Sequence, residues 1–228
     1  MAYEVVSTVE DVALIERRRK QIVEAATQLF SAQGFFKTTM KDVAKLAGIS
    51  SGLIYQYVTD KEDVLLLVLM EVVDAYAREL PAAVAAHDDP LARCAAAIAA
   101  YCRVVDAHRA ATVLAYRSTK SLSDDRRAII QTRELETNRI ITDIISECVR
   151  KGYFRRVDVN VLTYQIVMTA HAWALKHWHF KTIINLDNYI ESSLDIMLNG
   201  VLTPSAEKRW SSTIKKIASP QPKKRIIA

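Results

Sequence analysis

Glycine and proline are scarce in this chain, five of each in 228 residues. Folds built from strands and tight turns need far more punctuation, so the shortage points to an all-α protein. Cysteine is scarce too. Cys94, Cys102 and Cys148 are odd in number, widely spaced and form no CxxC pair. That excludes a disulfide framework or a cysteine-rich zinc site and suits a reducing cytoplasm. No segment reaches the ~18 consecutive apolar residues of a membrane span, and the N-terminal stretch MAYEVVSTVEDVALIERRRK lacks the apolar centre of a secretion signal. The expectation is a cytoplasmic protein with no membrane partner. GxSxG, HExxH, GxGxxG and phosphate-loop motifs are missing, and scattered glycines cannot build a phosphate cradle. Neither enzyme activity nor a cofactor is expected. His171, His177 and His179 lie two, six and eight positions apart, not the three or four that align ligands on one helix face, so no metal site is expected.

Helical patterning is what the sequence has in quantity. Half of the residues are hydrophobic, enough for a sizeable core. The net charge of +5 is unevenly spread: residues 1–62 are neutral, 63–206 sum to −1, and 207–228 carry +6. The basic character therefore belongs to the tail and is no argument for a basic DNA-binding domain. Periodicity predicts helices over 10–33, 39–47, 51–57, 61–86, 91–107, 110–118, 124–151, 159–181 and 186–202. Gly34 and Gly152 stand at helix ends, Asp158 at a cap, and Asp88-Asp89-Pro90 at a break. The division expected is a flexible arm (1–8), a three-helix helix-turn-helix domain (9–60), a larger helical ligand-binding and dimerisation domain (61–204), and a basic tail (205–228). The tail is either a solubilising end or a source of sequence-independent attraction to DNA.

The informative stretch is TTMKDVAKLAGISSGLIYQYVTDKEDVLL, Thr38 to Leu66. Two short helices that cross closely need small residues at the contact. Ala44 supplies one, and Gly48 supplies a turn where a side chain would strain φ. Val43, Ala47, Ile49 and Ile54 form the apolar seam. Ala44, Gly48, Ile49 and Ile54 together occupy the offsets of a helix-turn-helix. Thr39 with Asp42 reads as a capping box, Ser50 as a cap of the second helix, and Thr59 with Glu62 as a further box.

On these residues the segment resembles the DNA-binding domain of the TetR family of bacterial regulators. The matching pieces are Thr38-Thr39-Met40, Asp42-Val43-Ala44, Ala47-Gly48-Ile49-Ser50, Gly52-Leu53-Ile54-Tyr55, Tyr57 and Lys61-Glu62-Asp63-Val64-Leu65, with Phe30, Gly34 and Phe35 upstream. Val58 departs from the pattern, which usually has Phe there. The resemblance implies that Thr38 and Thr39 hold a phosphate, that Ser50, Ser51 and Gly52 enter the major groove, and that Tyr55 and Tyr57 reach phosphate or a thymine methyl. It implies that Lys61 pairs with phosphate. Ser51, Gly52 and Gln56 remain alternatives for reading bases; glutamine is chemically suited to adenine. The basic turn Arg17–Lys20 is a further candidate for the DNA backbone.

A single recognition helix contacts few base pairs, so a partner is needed. Residues 159–181 are apolar on nearly every face, with Met168, Ala172 and Leu175 on one side. The resemblance implies that the last two long helices form the seam of a homodimer, and that a small-molecule effector binds among the central helices. Tyr101, Tyr116, Trp173 and Trp178 are candidates to line an apolar cavity, and Arg117, Lys120 and Arg139 to meet an anion. The function implied is a repressor that binds double-stranded DNA at a palindromic operator and is released by a hydrophobic or acyl-CoA-type effector. The alternatives are a regulator of an efflux pump sensing aromatic or hydrophobic drugs, and an architectural DNA-binding protein without an inducer.

Overall fold

The computed structural model describes residues 5–210. The basic segment 211–228 and the first four residues of the expected arm lie outside the described residues. The helices are α1 (Val12–Gln33), α2 (Met40–Leu46), α3 (Lys61–Ala85), α4 (Pro90–Ala107), α5 (Arg109–Ser118), α6 (Asp124–Arg150), α7 (Val159–Leu175), α8 (His177–Phe180) and α9 (Leu186–Asn199). No strand forms among the described residues; an isolated bridge pairs Phe154 with Leu202. The chain divides into two compact units. The first is Met1–Ala75 with His108–Glu136, the second Tyr76–Ala107 with Thr137–Ala228.

In the first unit, Asp11 opens α1 by accepting from the Leu14 N–H, and Gly34 closes it at φ +87°. Ile22, Val23, Ala25, Ala26 and Phe30 form its buried face. α2 begins with the expected reciprocal box: the Thr39 hydroxyl accepts from the Asp42 N–H, and the Asp42 carboxylate accepts from the Thr39 N–H. Gly48 turns the chain at φ +71°, a conformation that costs an L side chain roughly 1–2 kcal/mol. The helix expected over 51–57 is much shorter, a single 3₁₀ turn at Leu53–Gln56. Its hydrogen bonds close early: the Tyr57 N–H returns to the Ile54 carbonyl at 3.0 Å. The cap expected from Thr59 and Glu62 is made otherwise. The Asp60 carboxylate takes the Asp63 N–H, while the Asp63 carboxylate takes the Thr59 N–H.

The second unit is built around α4, of whose residues thirteen, Pro90 to Val105 with gaps, are buried. Its alanines at 95, 96, 97, 99 and 100 leave room for α7 and α9 to pack close. The single helix expected over 159–181 breaks at Lys176 (φ −116°, ψ 20°) into α7 and α8. Trp173 packs there against His177, Phe180 and Tyr189, and that aromatic contact overrides the continuous helical periodicity. The folded part also runs past its expected end at 204. Residues 204–210 are helical, with Ala206 and Trp210 buried, so residues 205–210 are packed structure and not tail.

Candidate nucleic-acid interface

The α2–Gly48–Leu53 segment is assembled on a small apolar seam. Val43, Ala44 and Ile54 have no exposed surface, and Val58 is 1% exposed. Above that seam the chain presents its polar side. Ser50, Ser51, Gly52, Tyr55 and Gln56 are all exposed, with Tyr55 at 52%. Ser50 sets the start of the 3₁₀ turn by accepting the Leu53 N–H at 3.1 Å. Open space surrounds the Gly52 α-carbon, so a partner's backbone can approach it closely. Thr39 is exposed beside them. Hydrogen bonds from Thr39 hold the Asp42 carboxyl below its ordinary value, so it stays ionised as a cap.

Three residues expected at this surface are used elsewhere. Thr38 is fully buried: its hydroxyl donates to the Gly34 carbonyl at 2.9 Å and accepts from Gln33, which leaves it no access to a phosphate. Tyr57 is 3% exposed and packs beneath the turn. Lys61 turns inward. Its ammonium donates to the carbonyls of Phe35 (2.9 Å), Thr38 (3.0 Å) and Phe36 (3.4 Å) and lies 4.5 Å from the centre of the Phe35 ring. Three ammonium protons on three carbonyls, plus a cation–π contact, make it a fastener of the α1–α2 loop in this conformation. Of the basic Arg17–Lys20 turn, Arg18 bonds Gln21 and Arg19 bonds the carbonyls of Tyr57 and Val5. The expected arm is docked where it is described: Val5 is buried, and Ser7 and Thr8 bond the Gln56 carbonyl. Two exposed cations passed over in the sequence are Lys41 and Lys45, one turn apart on α2. Their i, i+4 spacing was the available signal.

Behind this surface Arg126 of α6 reaches the first turn of α3. Its guanidinium bonds Asp60 (2.9 Å), Glu62 (3.0 Å) and Asp63 (2.7 Å), and Glu62 also takes the Ser123 N–H. That backbone bond and the guanidinium hold Glu62 below its usual range.

The candidate effector residues fall in both units. In the second unit Tyr101 is buried, stacked on Tyr76 at 4.0 Å, with both hydroxyls 3.3 Å from His171 Nε2. Burial lowers His171 to about 4, so it is neutral. Trp173 is buried and donates to Asp106 at 2.7 Å. Trp178 is 70% exposed, and Arg139 is on the surface. In the first unit Tyr116, Arg117 and Lys120 are exposed as well. An open groove of about 590 Å³ in that unit is lined by Glu24, Thr27, Gln28, Ser31, Ala32, Glu71 and Ala110, none of them expected. Sequence reasoning also passed over Asn138, a buried residue of α6 whose carboxamide oxygen and nitrogen have no hydrogen-bond partner. No spacing in the sequence marks such a residue. The three cysteines are buried, and burial raises each thiol, Cys102 and Cys148 to about 12. Among the described residues no group of three His, Cys, Asp or Glu is placed to hold a metal ion, and no helix is long and apolar enough to cross a membrane.

Residues 22–68 match the model of the bacterial regulatory proteins of the tetR family, and residues 87–182 match a tetracyclin repressor-like C-terminal domain. The HTH-type transcriptional regulator HbdR of Aromatoleum is 49% identical over 89% of this chain and 88% of its own length. The chain belongs to the TetR family. Members of the family are DNA-binding transcriptional regulators and not enzymes. A structure of the ketosteroid transcriptional regulator KstR2 of Mycobacterium tuberculosis superposes with a TM-score of 0.70 at 24% identity, covering 88% of this chain and all of that one. AibR, solved with isovaleryl coenzyme A and operator DNA, superposes with a TM-score of 0.69 at 18% identity over 78% of this chain and 97% of its own. Both establish the shared all-α architecture, an N-terminal helix-turn-helix followed by a helical C-terminal domain.

Proposed function

We propose that this TetR-family regulator is a cytoplasmic repressor that grips a palindromic operator as a homodimer and lets go when a small hydrophobic or acyl-CoA-type effector binds. The observation that carries the DNA half is the exposure of Ser50, Ser51, Gly52, Tyr55 and Gln56 around the buried Val43–Ala44–Ile54 seam. Ser50, Ser51 and Gly52 face the major groove, Tyr55 a phosphate or thymine methyl, and Gln56 a base edge. Thr39, Lys41 and Lys45 add backbone contacts. In this reading Thr38, Tyr57 and Lys61 support the interface from inside.

The dimer rests on α7. Val161, Tyr164 and Met168 are 59%, 43% and 46% exposed, one or two turns apart on a single face that continues to the half-buried Ala172 and Leu175. An apolar stripe on a soluble chain calls for a cover, and a second copy supplies one through the same face. Ile196 on α9, 76% exposed, extends the apolar surface of the C-terminal helices.

For the effector, the unpaired Asn138 carboxamide favours a ligand with a carbonyl or amide among its apolar parts, since a buried amide left unbonded is costly. A CoA thioester has such groups, and the fold holds one in AibR. The ligand must bind one spacing of the two DNA-binding segments better than the other, or it shifts nothing. The test is a mobility shift on duplex from the gene's own upstream region, with CoA thioesters, the free acids and aromatic drugs added in turn. Release by thioesters alone supports the reading. Release by drugs alone makes the protein an efflux regulator, and binding that no compound reverses makes it an architectural protein.

A further inference from the structure

The recognition turn is short, four residues from Leu53 to Gln56, and its last carbonyls need partners that the turn cannot supply. They are supplied from far along the chain. The Gln56 carbonyl accepts from the Thr8 N–H at 3.0 Å and from the Ser7 hydroxyl at 2.8 Å. The Tyr57 carbonyl accepts from Arg19 Nε at 3.1 Å, while the same guanidinium, through Nη2, bonds the Val5 carbonyl. Val5 is 7% exposed. Arg19 thus ties the N-terminal segment and the end of the recognition turn to α1 at one point. Gln56 is exposed, with its own carbonyl held by the N-terminal segment.

We propose that Arg19 and residues 5–8 are positioning elements of DNA recognition: they set the angle at which Tyr55 and Gln56 meet the bases, and Arg19 does so without touching phosphate. The proposal rests on the DNA-binding reading above. It assigns to Arg19 a task that its place in a basic turn conceals. A phosphate contact raises affinity for every sequence and steepens the salt dependence. A positioning residue changes discrimination between sequences and leaves the salt slope alone.

The experiment uses the full-length chain. Wild-type protein first selects its preferred duplex from a randomised library. Affinities for that duplex and for a scrambled one are then measured from 50 to 200 mM salt for wild type, Arg19→Met, Ser7→Ala/Thr8→Pro and the combined variant. Thr8→Pro removes the N–H that bonds Gln56, and Asp11, the cap of α1, is untouched. The expected result is a loss on the order of tenfold on the selected duplex for each variant, scrambled binding within about twofold of wild type, an unchanged salt slope, and a combined loss smaller than the product of the two. A salt slope reduced by about one in Arg19→Met, with both duplexes weakened alike, overturns the proposal in favour of a phosphate contact. Wild-type discrimination in Ser7→Ala/Thr8→Pro overturns it too, and that variant decides the matter if Arg19→Met fails to fold by circular dichroism. If wild type selects no sequence at all, the DNA-binding reading itself fails.

Discussion

In the first unit the cations Arg19, Lys61 and Arg126 spend their charged groups on carbonyls and carboxylates of the chain itself. In the second unit stabilisation comes from apolar contact: α4 is buried along nearly its whole length, and Ile145, Ile166, Ile190, Leu194 and Leu198 have no exposed surface. The contrast follows from what each has to do. A short 3₁₀ turn and a seven-residue helix bury little apolar area, so the backbone around them is fastened by directed, charge-assisted hydrogen bonds that also keep one face free for a partner. Long helices have more apolar area to bury.

The sharpest way to break this contrast is Arg126→Met. Asp63 is fully buried, and Arg126→Met takes the guanidinium away from its carboxylate, a change that costs about 3–5 kcal/mol. All three tryptophans lie at 173, 178 and 210 in the second unit, so tryptophan emission reports that unit alone, while far-ultraviolet dichroism reports both. We expect urea to produce an early dichroism step in Arg126→Met while the emission midpoint stays put. Coincident steps would mean that the two units unfold as one.

Ile166→Ala is the matching change in the second unit. Its side chain is fully buried in α7, and truncation costs about 2–5 kcal/mol. Here the tryptophan midpoint should move.

The acid response sharpens the comparison further. Burial lowers His171 from 6.5 to about 4, so the unfolded chain takes up the proton first. Its contribution to the second unit is complete above pH 6.5 and is lost on the way down to pH 4, on the order of 3 kcal/mol in all. In the first unit Glu62 is held below its ordinary 4.5; its contribution is present above that pH and is lost as pH falls through the lowered value. Urea titrations followed by tryptophan emission should weaken from pH 6.5 downward in wild type and stay flat to about pH 5 in His171→Phe.

The smallest effect expected is Thr39→Ala. It removes one side of the capping box on α2 and costs about 1 kcal/mol, read as a small shift of the dichroism midpoint.

Much of the first unit was legible in advance because its constraints are local. Gly34 and Gly48 take positive φ as their places in the chain suggest, Thr39 and Asp42 cap α2 three residues apart, and Val43, Ala44 and Ile54 bury together. Ser50, Ser51, Gly52, Tyr55 and Gln56 are exposed, as a surface for a partner requires. The candidate site was misread at Thr38, Tyr57 and Lys61, because whether a polar side chain faces out or in depends on the carbonyls that happen to lie within its reach. The candidate effector residues were least legible. An aromatic residue such as Trp178 or Tyr101 has the same chemistry on a surface as in a core, and no spacing in the sequence tells them apart.

The amino-acid order alone determined the helical class, the positions of the turns and the family, since scarce glycine, periodic apolar residues and capping pairs act over a few positions at a time. Only the tertiary structure decided the length of the recognition turn, the break at Lys176, and the partners of Arg19, Lys61 and Arg126. The partners of Arg19, Lys61 and Arg126 lie 14 to 66 residues away in the chain, and hydrogen bonds are chosen by distance in space, not by distance in sequence.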